Sequence, residues 1–298
     1  MKILVTGANG LLGYKLIQLL STKSDITTVA TARKKVNDLP QGVDFFELDI
    51  TNHDQTIEVL LATKPDVVIS AAAMTQVDQC ETEREQCWMA NVVGIENLVE
   101  GCEKINCHLV HVSTDFIFDG SFGPLDETAI PNPVNFYGES KLAGEQVIQK
   151  SKLSWAILRT VLVFGITPDL SRSNIVLWVK KSLEDGKTIN VVNDQWRTPT
   201  LAEDLAVGCY LAASQKATGI YHISGEELMT PFDIAQHTAD FFKLDKSLIK
   251  AADSSTFKQP AARPPKTGFI ITKAKTELGY QPHSFTEGLR VLAAQLDR

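Results

Sequence analysis

The sequence contains no C-x-x-C pair, although it has five cysteines in 298 residues. Close cysteine pairs are typical of zinc knuckles, and an even number of cysteines is typical of the disulfide frameworks of small secreted proteins. This odd and widely spaced set indicates neither kind of site. We therefore expect buried free thiols at Cys80, Cys87, Cys102, Cys107 and Cys209.

Long apolar runs are also missing, since none approaches the roughly 20 residues that a membrane-spanning helix requires. The apolar residues 1–5 pass directly into Thr6-Gly7, without the length or cleavage pattern of a signal peptide. Basic residues are outnumbered, because the net charge is −7, and this disfavours a surface built for nucleic acid. We expect a cytoplasmic protein with no membrane or nucleic-acid partner.

The histidines lack the spacing of metal ligands. His108 and His111 lie three residues apart on a predicted strand, where successive side chains point to opposite faces, so the two cannot readily chelate one ion. His222, His237 and His283 follow no ligand pattern. We expect no metal site.

Short runs rich in Val and Ile alternate with longer helical patterns through the first half of the chain. This rhythm is typical of βαβ units around a parallel sheet, and six strands are the count of a full doubly wound sheet. It predicts an α/β Rossmann fold with helices on both faces of the sheet. The predicted strands are 2–5, 27–32, 43–47, 66–70, 108–112 and 155–158, and the predicted helices are 11–20, 54–63, 83–104 and 140–149.

The alternation stops after Gly165. We predict a Rossmann domain over 1–165, with about 188–218 packing back on it, and a smaller substrate-binding lobe formed by 166–187 and 219–298. Within this second half the patterns predict helices near 174–184, 201–213, 232–242 and 285–296, and a strand at 220–224.

A glycine-spaced turn follows the first predicted strand and opens directly into an apolar helix. Gly7 allows a sharp turn, Gly10 lets backbone N–H groups approach a pyrophosphate, and Gly13 lets the helix sit close to the sheet. The strand before the turn and the helix after it are the context that such a motif needs. The turn therefore predicts a dinucleotide site.

The second predicted strand is followed by Arg33-Lys34-Lys35, with no acidic residue at that point. An acidic residue there accepts hydrogen bonds from the ribose 2′-OH of NAD, whereas an arginine accommodates the 2′-phosphate of NADP. Charge-assisted hydrogen bonds to phosphate are stronger than neutral ones. The sequence favours NADP(H) and leaves use of NAD(H) open.

Tyr137 and Lys141 lie four residues apart, so a helix that begins near them places both on one face. A nearby ammonium favours the phenolate and brings the phenol toward the pH of proton transfer. Thr114 ends a neighbouring predicted strand, where ligands of open α/β sheets bind, and its hydroxyl can bond the same carbonyl oxygen. We predict a catalytic set of Thr114, Tyr137 and Lys141.

Together these motifs resemble the extended short-chain dehydrogenase/reductase superfamily, which is marked by T-G-x-x-G-x-x-G and Y-x-x-x-K. Within it the chain is similar to the dTDP-4-dehydrorhamnose reductase family, nearly from end to end. The similarity is carried by PDVVISAAAMTQVDQCE at 65–81, STDFIFDG at 113–120, NFYGESKLAGE at 135–145 and NDQWRTPT at 193–200.

The resemblance implies that Tyr137 donates the proton, Lys141 binds the nicotinamide ribose, Thr114 orients the carbonyl and Asp115 contacts the sugar. It also implies that Asp49 reaches the adenine amino group. The implied cofactor lining is Gly10, Leu11, Leu12, Arg33, Asp49, Ile50, Ala71, Ala72 and Ala73.

Two positions depart from the family pattern. Leu162 stands where the family commonly has a tryptophan against the substrate, and Arg197 stands where it often has a small residue. We place Leu162, Trp196 and Arg197 at the sugar site, and the departures leave the sugar open. Asn91 resembles an asparagine that stabilises the centre of the sheet, and Arg263 fits either a phosphate contact or a plain loop.

Three functions remain in competition. The first is an NADPH-dependent reductase of a nucleotide-linked 4-keto sugar in cell-envelope polysaccharide synthesis. The second is a nucleotide-sugar epimerase with tightly bound NAD. The third is a non-catalytic subunit like the regulatory β chain of methionine adenosyltransferase. Homodimers are common in this superfamily, and we expect one here.

Overall fold

The computed structural model of the protein describes residues 1–35, 39–167 and 174–296. Its strands are β1 (Lys2–Thr6), β2 (Thr27–Ala32), β3 (Asp44–Glu47), β4 (Val67–Ser70), β5 (His108–Thr114), β6 (Trp155–Thr160), β7 (Val163–Phe164), β8 (Ile189–Val192), β9 (Thr200–Leu201), β10 (Gly219–His222) and β11 (Ile249–Ala252). Its α-helices are α1 (Leu11–Ser21), α2 (His53–Thr63), α3 (Val77–Thr82), α4 (Arg84–Trp88), α5 (Gly94–Ile105), α6 (Phe136–Lys150), α7 (Ile175–Glu184), α8 (Ala202–Ser214), α9 (Pro231–Phe242) and α10 (Phe285–Leu296).

The central sheet runs in the order β10-β6-β5-β4-β1-β2-β3, and every neighbouring pair of strands in it is parallel. Chain order reverses between β1 and β4, which is the switch point where open α/β sheets bind ligands. The predicted Rossmann fold is confirmed.

β1 illustrates why the sheet is buried on both faces. Its Ile3 and Val5 belong to the core cluster that holds side chains of α1 and α8, whereas Leu4 belongs to the cluster that holds side chains of α2 and α5. Alternate residues of a strand point to opposite faces, so a strand covered on both sides must be apolar throughout.

The sheet has a seventh strand, β10, which the sequence pattern assigned to the smaller lobe at 220–224. Gly219 pairs with Ala156 and His222 with Arg159, so the strand lies beside β6. Periodicity indicates that a segment is a buried strand but does not identify the strand beside it.

Residues 188–218 were expected to pack back on the Rossmann domain. Their first strand, β8, pairs instead with β11 in a separate two-stranded sheet. Within the same stretch, β9 pairs with β7 at Val163–Phe164, and α8 packs against α1. The remaining domain division stays a prediction.

The helix predicted over 83–104 is present as one uninterrupted helical run from Arg84 to Ile105. It consists of α4, a π-helical turn over Met89–Val93 and α5, and the pattern did not predict the π turn. A π turn inserts one residue into the helical ladder and is common at functional sites. Here it carries Asn91, whose side chain bonds the backbone of Met74. The helix predicted from residue 140 begins earlier, at Phe136, because the Asn135 side chain accepts from the Gly138 N–H and caps it.

All five cysteines are buried free thiols, as predicted. Among the described residues, no helix is long and apolar enough to cross a membrane. The same described ranges contain no group of three or more His, Cys, Asp or Glu side chains that could hold a metal ion.

Candidate active site

Helix α6 brings Tyr137 and Lys141 to one buried face, where both are less than 10% exposed. The helix lies very close to the segment that follows β5, because a Cβ at Gly138 would stand only 2.1 Å from the Phe116 carbonyl oxygen. The Phe116 ring meets the Tyr137 ring edge to face, with centroids 5.7 Å apart. Residues 116 and 137 thus fix the end of β5 against the start of α6.

Tyr137 and Thr114 form the polar centre of this face. Burial raises the pKa of the Tyr137 phenol well above its ordinary value, and interaction with the Thr114 hydroxyl opposes that rise. The Thr114 hydroxyl also donates to the Asp115 carboxylate at 3.2 Å. The phenol is therefore protonated near neutral pH, as a proton donor must be.

Lys141 follows Tyr137 by one turn on the buried face of α6. Its ammonium donates to the Val112 carbonyl oxygen at 2.8 Å and to His111 Nε2 at 3.2 Å. Burial lowers the pKa of Lys141 to about 8, while the nearby Glu145 and Cys87 oppose that fall. The contact between His111 and Lys141 was not predicted, because His111 was considered only as a metal ligand. Alternation along β5 could have indicated that His111 points to the same face of the sheet as Ser113.

Asn91 joins three parts of the site. Its side-chain amide accepts from the Met74 N–H at 2.9 Å and donates to the Met74 carbonyl oxygen and the Ser140 hydroxyl, each at 3.0 Å. The π turn is therefore tied to α6 and to the loop after β4. The role predicted for Asn91 at the centre of the sheet stays a prediction.

Asp115 and Arg197 meet in a buried ion pair, with Arg197 Nε 3.6 Å from Asp115 Oδ2. Burial raises the pKa of Asp115, and Arg197 opposes that rise. The same carboxylate accepts a very short hydrogen bond from Thr267, a partner that the sequence analysis did not identify. The guanidinium also donates to the carbonyl oxygens of Pro264 and Trp196, at 2.6 and 2.7 Å. The guanidinium of Arg197 is thus bonded to other groups of the protein. Trp196, the residue before it, is 38% exposed.

Leu162 and Arg263 both contact other parts of the protein. Leu162 has a left-handed φ of 39° and packs against two apolar core clusters. Arg263 makes a two-pronged ion pair with Asp78, at 2.8 and 2.7 Å. This pair favours the plain-loop interpretation of Arg263. The substrate role of Leu162 stays a prediction.

A cleft of about 460 Å³ lies between α7 and β8. From the end of β8 the chain reaches Arg197 within five residues. The cleft is lined by apolar and amide side chains, among them Asn174, Ile175, Trp178, Asn190, Val191 and Phe257.

The glycine turn has the shape that a dinucleotide requires. Gly7 has a φ of 73°, and a Cβ there would stand 2.9 Å from the backbone of Ala72. The Thr6 hydroxyl accepts from the N–H groups of Ala71 and Ala72, each at 3.1 Å, and joins the two loops at the switch point. Gly10 precedes α1, and no side chain of the described residues caps that helix. Its first N–H groups are therefore available to an anion.

Arg33 and Lys34 are exposed at the end of β2. The Asn9 side chain of the glycine turn donates to the Lys34 carbonyl oxygen at 3.0 Å, so the basic turn lies beside the glycine turn. A 2′-phosphate fits this pair of loops. Asp49 is half-buried and its carboxylate accepts from the N–H and hydroxyl of Thr51, while Ile50 is buried against Gly94.

Comparison with known proteins finds similar sequences and similar structures over nearly the whole chain. Residues 1–298 match the family model described as the RmlD substrate binding domain. The dTDP-4-dehydrorhamnose reductase of Aggregatibacter actinomycetemcomitans is 32% identical over 98% of both chains. Methionine adenosyltransferase 2 subunit beta of Xenopus laevis is 31% identical, over 84% of this chain and 74% of that protein. The crystal structure of dTDP-4-dehydrorhamnose reductase from Bacillus anthracis in complex with NADP has a TM-score of 0.85 and 28% identity, over 99% of both chains.

Proposed function

The chain belongs to the RmlD family, which includes the dTDP-4-dehydrorhamnose reductases, and we propose that it reduces a nucleotide-linked 4-keto sugar with NADPH. The observation that carries the proposal is the buried Tyr137–Thr114 pair at the carboxyl end of β5, with Lys141 one turn further along the buried face of α6. dTDP-4-dehydrorhamnose is the substrate to test first, because it is the one named for the relative that matches over the whole chain.

NADPH, when bound, supplies the hydride that adds to the keto carbon. Thr114 and Tyr137 hold the carbonyl oxygen by hydrogen bonds, and the protonated phenol of Tyr137 donates its proton to that oxygen. The Lys141 ammonium stabilises the phenolate left behind, because a positive charge nearby favours the ionised form. In this proposal Lys141 also donates to the ribose.

The remaining site residues divide between cofactor and sugar. The glycine turn and Ala71–Ala73 bind the pyrophosphate side of NADPH. Arg33 binds the 2′-phosphate, and Asp49 and Ile50 contact the adenine. Asp115 faces the sugar from its pair with Arg197, with Trp196 at the exposed edge. The cleft beside Trp178 is of a size for the nucleotide end of the substrate.

The similarity to methionine adenosyltransferase 2 subunit beta supports one competing function, a regulatory subunit without turnover. The complete set of Thr114, Tyr137 and Lys141 favours catalysis, because a subunit without chemistry has no need of a phenol and an ammonium at one buried point. An epimerase would keep NAD bound and show no net oxidation. Location in the cytoplasm and assembly as a homodimer stay predictions.

The deciding experiment mixes purified protein, NADPH and dTDP-4-dehydrorhamnose and follows NADPH absorbance together with the sugar product. The proposal requires one NADPH oxidised for each keto sugar reduced. The matched control is Tyr137→Phe, which removes only the phenolic oxygen and should lower turnover by a factor of about 10²–10⁴. Absence of turnover by the unmodified protein with this and related 4-keto sugars would contradict the proposal.

A further inference from the structure

His111 lies at the centre of the sheet and is fully buried. It pairs in register with Ser70 of the neighbouring strand β4, and its Nδ1 is 3.2 Å from the Ser70 hydroxyl oxygen. Its other nitrogen, Nε2, is 3.2 Å from Lys141 Nζ. The imidazole thus bridges a serine on one strand and the lysine of the candidate catalytic set.

The chemistry of this bridge fixes the form of the imidazole. An ammonium can only donate, so Nε2 must accept, and the ring proton must sit on Nδ1 and point to Ser70. Burial and the Lys141 charge both lower the pKa of His111 well below its ordinary value, which keeps the ring neutral. The Lys141 ammonium therefore selects this tautomer, and the Ser70 hydroxyl accepts from Nδ1–H and holds the ring in place.

A buried ammonium needs acceptors to replace the water it has lost. In the described chain Lys141 has two, the Val112 carbonyl oxygen and His111 Nε2. An ammonium carries three N–H donors, so these two bonds leave one for a ligand and fix its direction.

From this geometry we propose that His111, oriented by Ser70, is a positioning residue that keeps Lys141 charged and aims its remaining N–H donor. The inference rests on the reductase function proposed above. A neutral acceptor bonded to the ammonium favours the charged form, so losing it must lower the pKa of Lys141 further.

Besides His111, the titratable groups of the described residues that interact with Lys141 are Glu145 on α6 and Cys87 on α4. Neither of them is altered by a substitution at residue 111. A change in the titration of Lys141 in such a variant is therefore attributable to the lost acceptor.

The test uses a matched pair of variants, His111→Leu and His111→Gln. Leucine fills the space without a polar atom, whereas the glutamine amide offers an acceptor to Lys141 and a donor to Ser70. We expect His111→Leu to weaken NADPH binding, measured by cofactor fluorescence, by about tenfold, as for loss of one hydrogen bond to a charged group. His111→Gln should recover most of that affinity.

The second readout is the pH profile of kcat/KM. His111→Leu should move the upper limb down by about one pH unit, and His111→Gln should return it toward the position of the unmodified protein. A merely structural histidine would leave this limb unchanged. Wild-type NADPH affinity and pH profile in a folded His111→Leu variant would overturn the inference.

The third readout is made on the unmodified protein and does not depend on turnover. Nitrogen NMR of labelled imidazole, assigned with His111→Gln, should show a proton on Nδ1, a bare Nε2 and no titration between about pH 6 and 8. Ser70→Ala should leave the proton on Nδ1, because Lys141 still donates to Nε2. A proton on Nε2 in the unmodified protein would overturn the inference. An unmodified protein that is inactive on keto sugars but shows these signals would contradict the proposed function alone.

Discussion

Glu145 and Arg159 form a two-pronged ion pair in the interior, with Nε to Oε1 at 3.0 Å and Nη2 to Oε2 at 2.7 Å. Both side chains are at most 3% exposed. The pair joins α6, which carries Tyr137 and Lys141, to β6 on the sheet beneath it. The depth at which these two site residues lie therefore depends on a contact outside the site.

We predict that Glu145→Ala lowers the free energy of unfolding by about 3–5 kcal/mol, because it leaves the Arg159 charge buried without its partner. Denaturant unfolding measures the change. The double variant Glu145→Leu with Arg159→Met removes both charges and should regain most of the loss. A decrease below about 1 kcal/mol in Glu145→Ala would show that the pair is dispensable.

The pH dependence of reduction follows from Lys141. Burial lowers its pKa to about 8, and reduction needs the ammonium charged and Tyr137 protonated. We expect kcat/KM to be constant below about pH 8 and to fall as the pH rises through 8. The reason is that Lys141 loses its charge before the phenol of Tyr137 loses its proton. Rate measurements across this range check the order, and a rate that rises through pH 8 would contradict it.

Gly7 is predicted to tolerate no side chain. Its positive φ strains any L residue, and the added methyl group would stand 2.9 Å from the backbone of Ala72. Gly7→Ala should therefore lower the stability by about 1–3 kcal/mol and also weaken NADPH binding.

Gly42 offers a matched control, since it too has a positive φ but has no atom within 4 Å of an added Cβ. Gly42→Ala should show only the backbone strain, about 1 kcal/mol in thermal or denaturant unfolding, with NADPH affinity unchanged. Equal effects of the two substitutions on NADPH binding would argue against a close approach of the cofactor at Gly7.

Arg33→Ala is predicted to weaken binding of NADPH by about tenfold while leaving binding of NADH nearly unchanged, because only NADPH carries the 2′-phosphate. Calorimetric titration with both cofactors gives the ratio. Lys152→Ala removes another exposed basic side chain and controls for the general loss of charge. Parallel losses for NADPH and NADH in Arg33→Ala would place Arg33 elsewhere than at the phosphate.

The features that could be predicted from the sequence are those that depend on residues close together in the chain. The glycine spacing after β1 and the four-residue spacing of Tyr137 and Lys141 depend on neighbouring residues, and the alternation of strands and helices gave the fold class. The family resemblance added the reductase function, which the comparisons support.

The contacts that escaped prediction join residues far apart in the chain. Thr267 bonds Asp115 from 152 positions away, and Ser70 reaches His111 from 41 positions away. No local pattern marks such pairs, because they exist only once the strands have been placed side by side. The π turn at Met89–Val93 escaped prediction for a related reason, since the Asn91 side chain there is held by the backbone of Met74, 17 positions away.

The position of β10 has a consequence for synthesis on the ribosome. Its residues, Gly219–His222, cover the edge of β6 at Trp155–Thr160, yet some sixty residues are made in between. Until that stretch has emerged, β6 presents an open row of backbone N–H and carbonyl groups to other chains. The nascent protein is therefore most exposed to aggregation after its candidate catalytic residues are complete and before its sheet is.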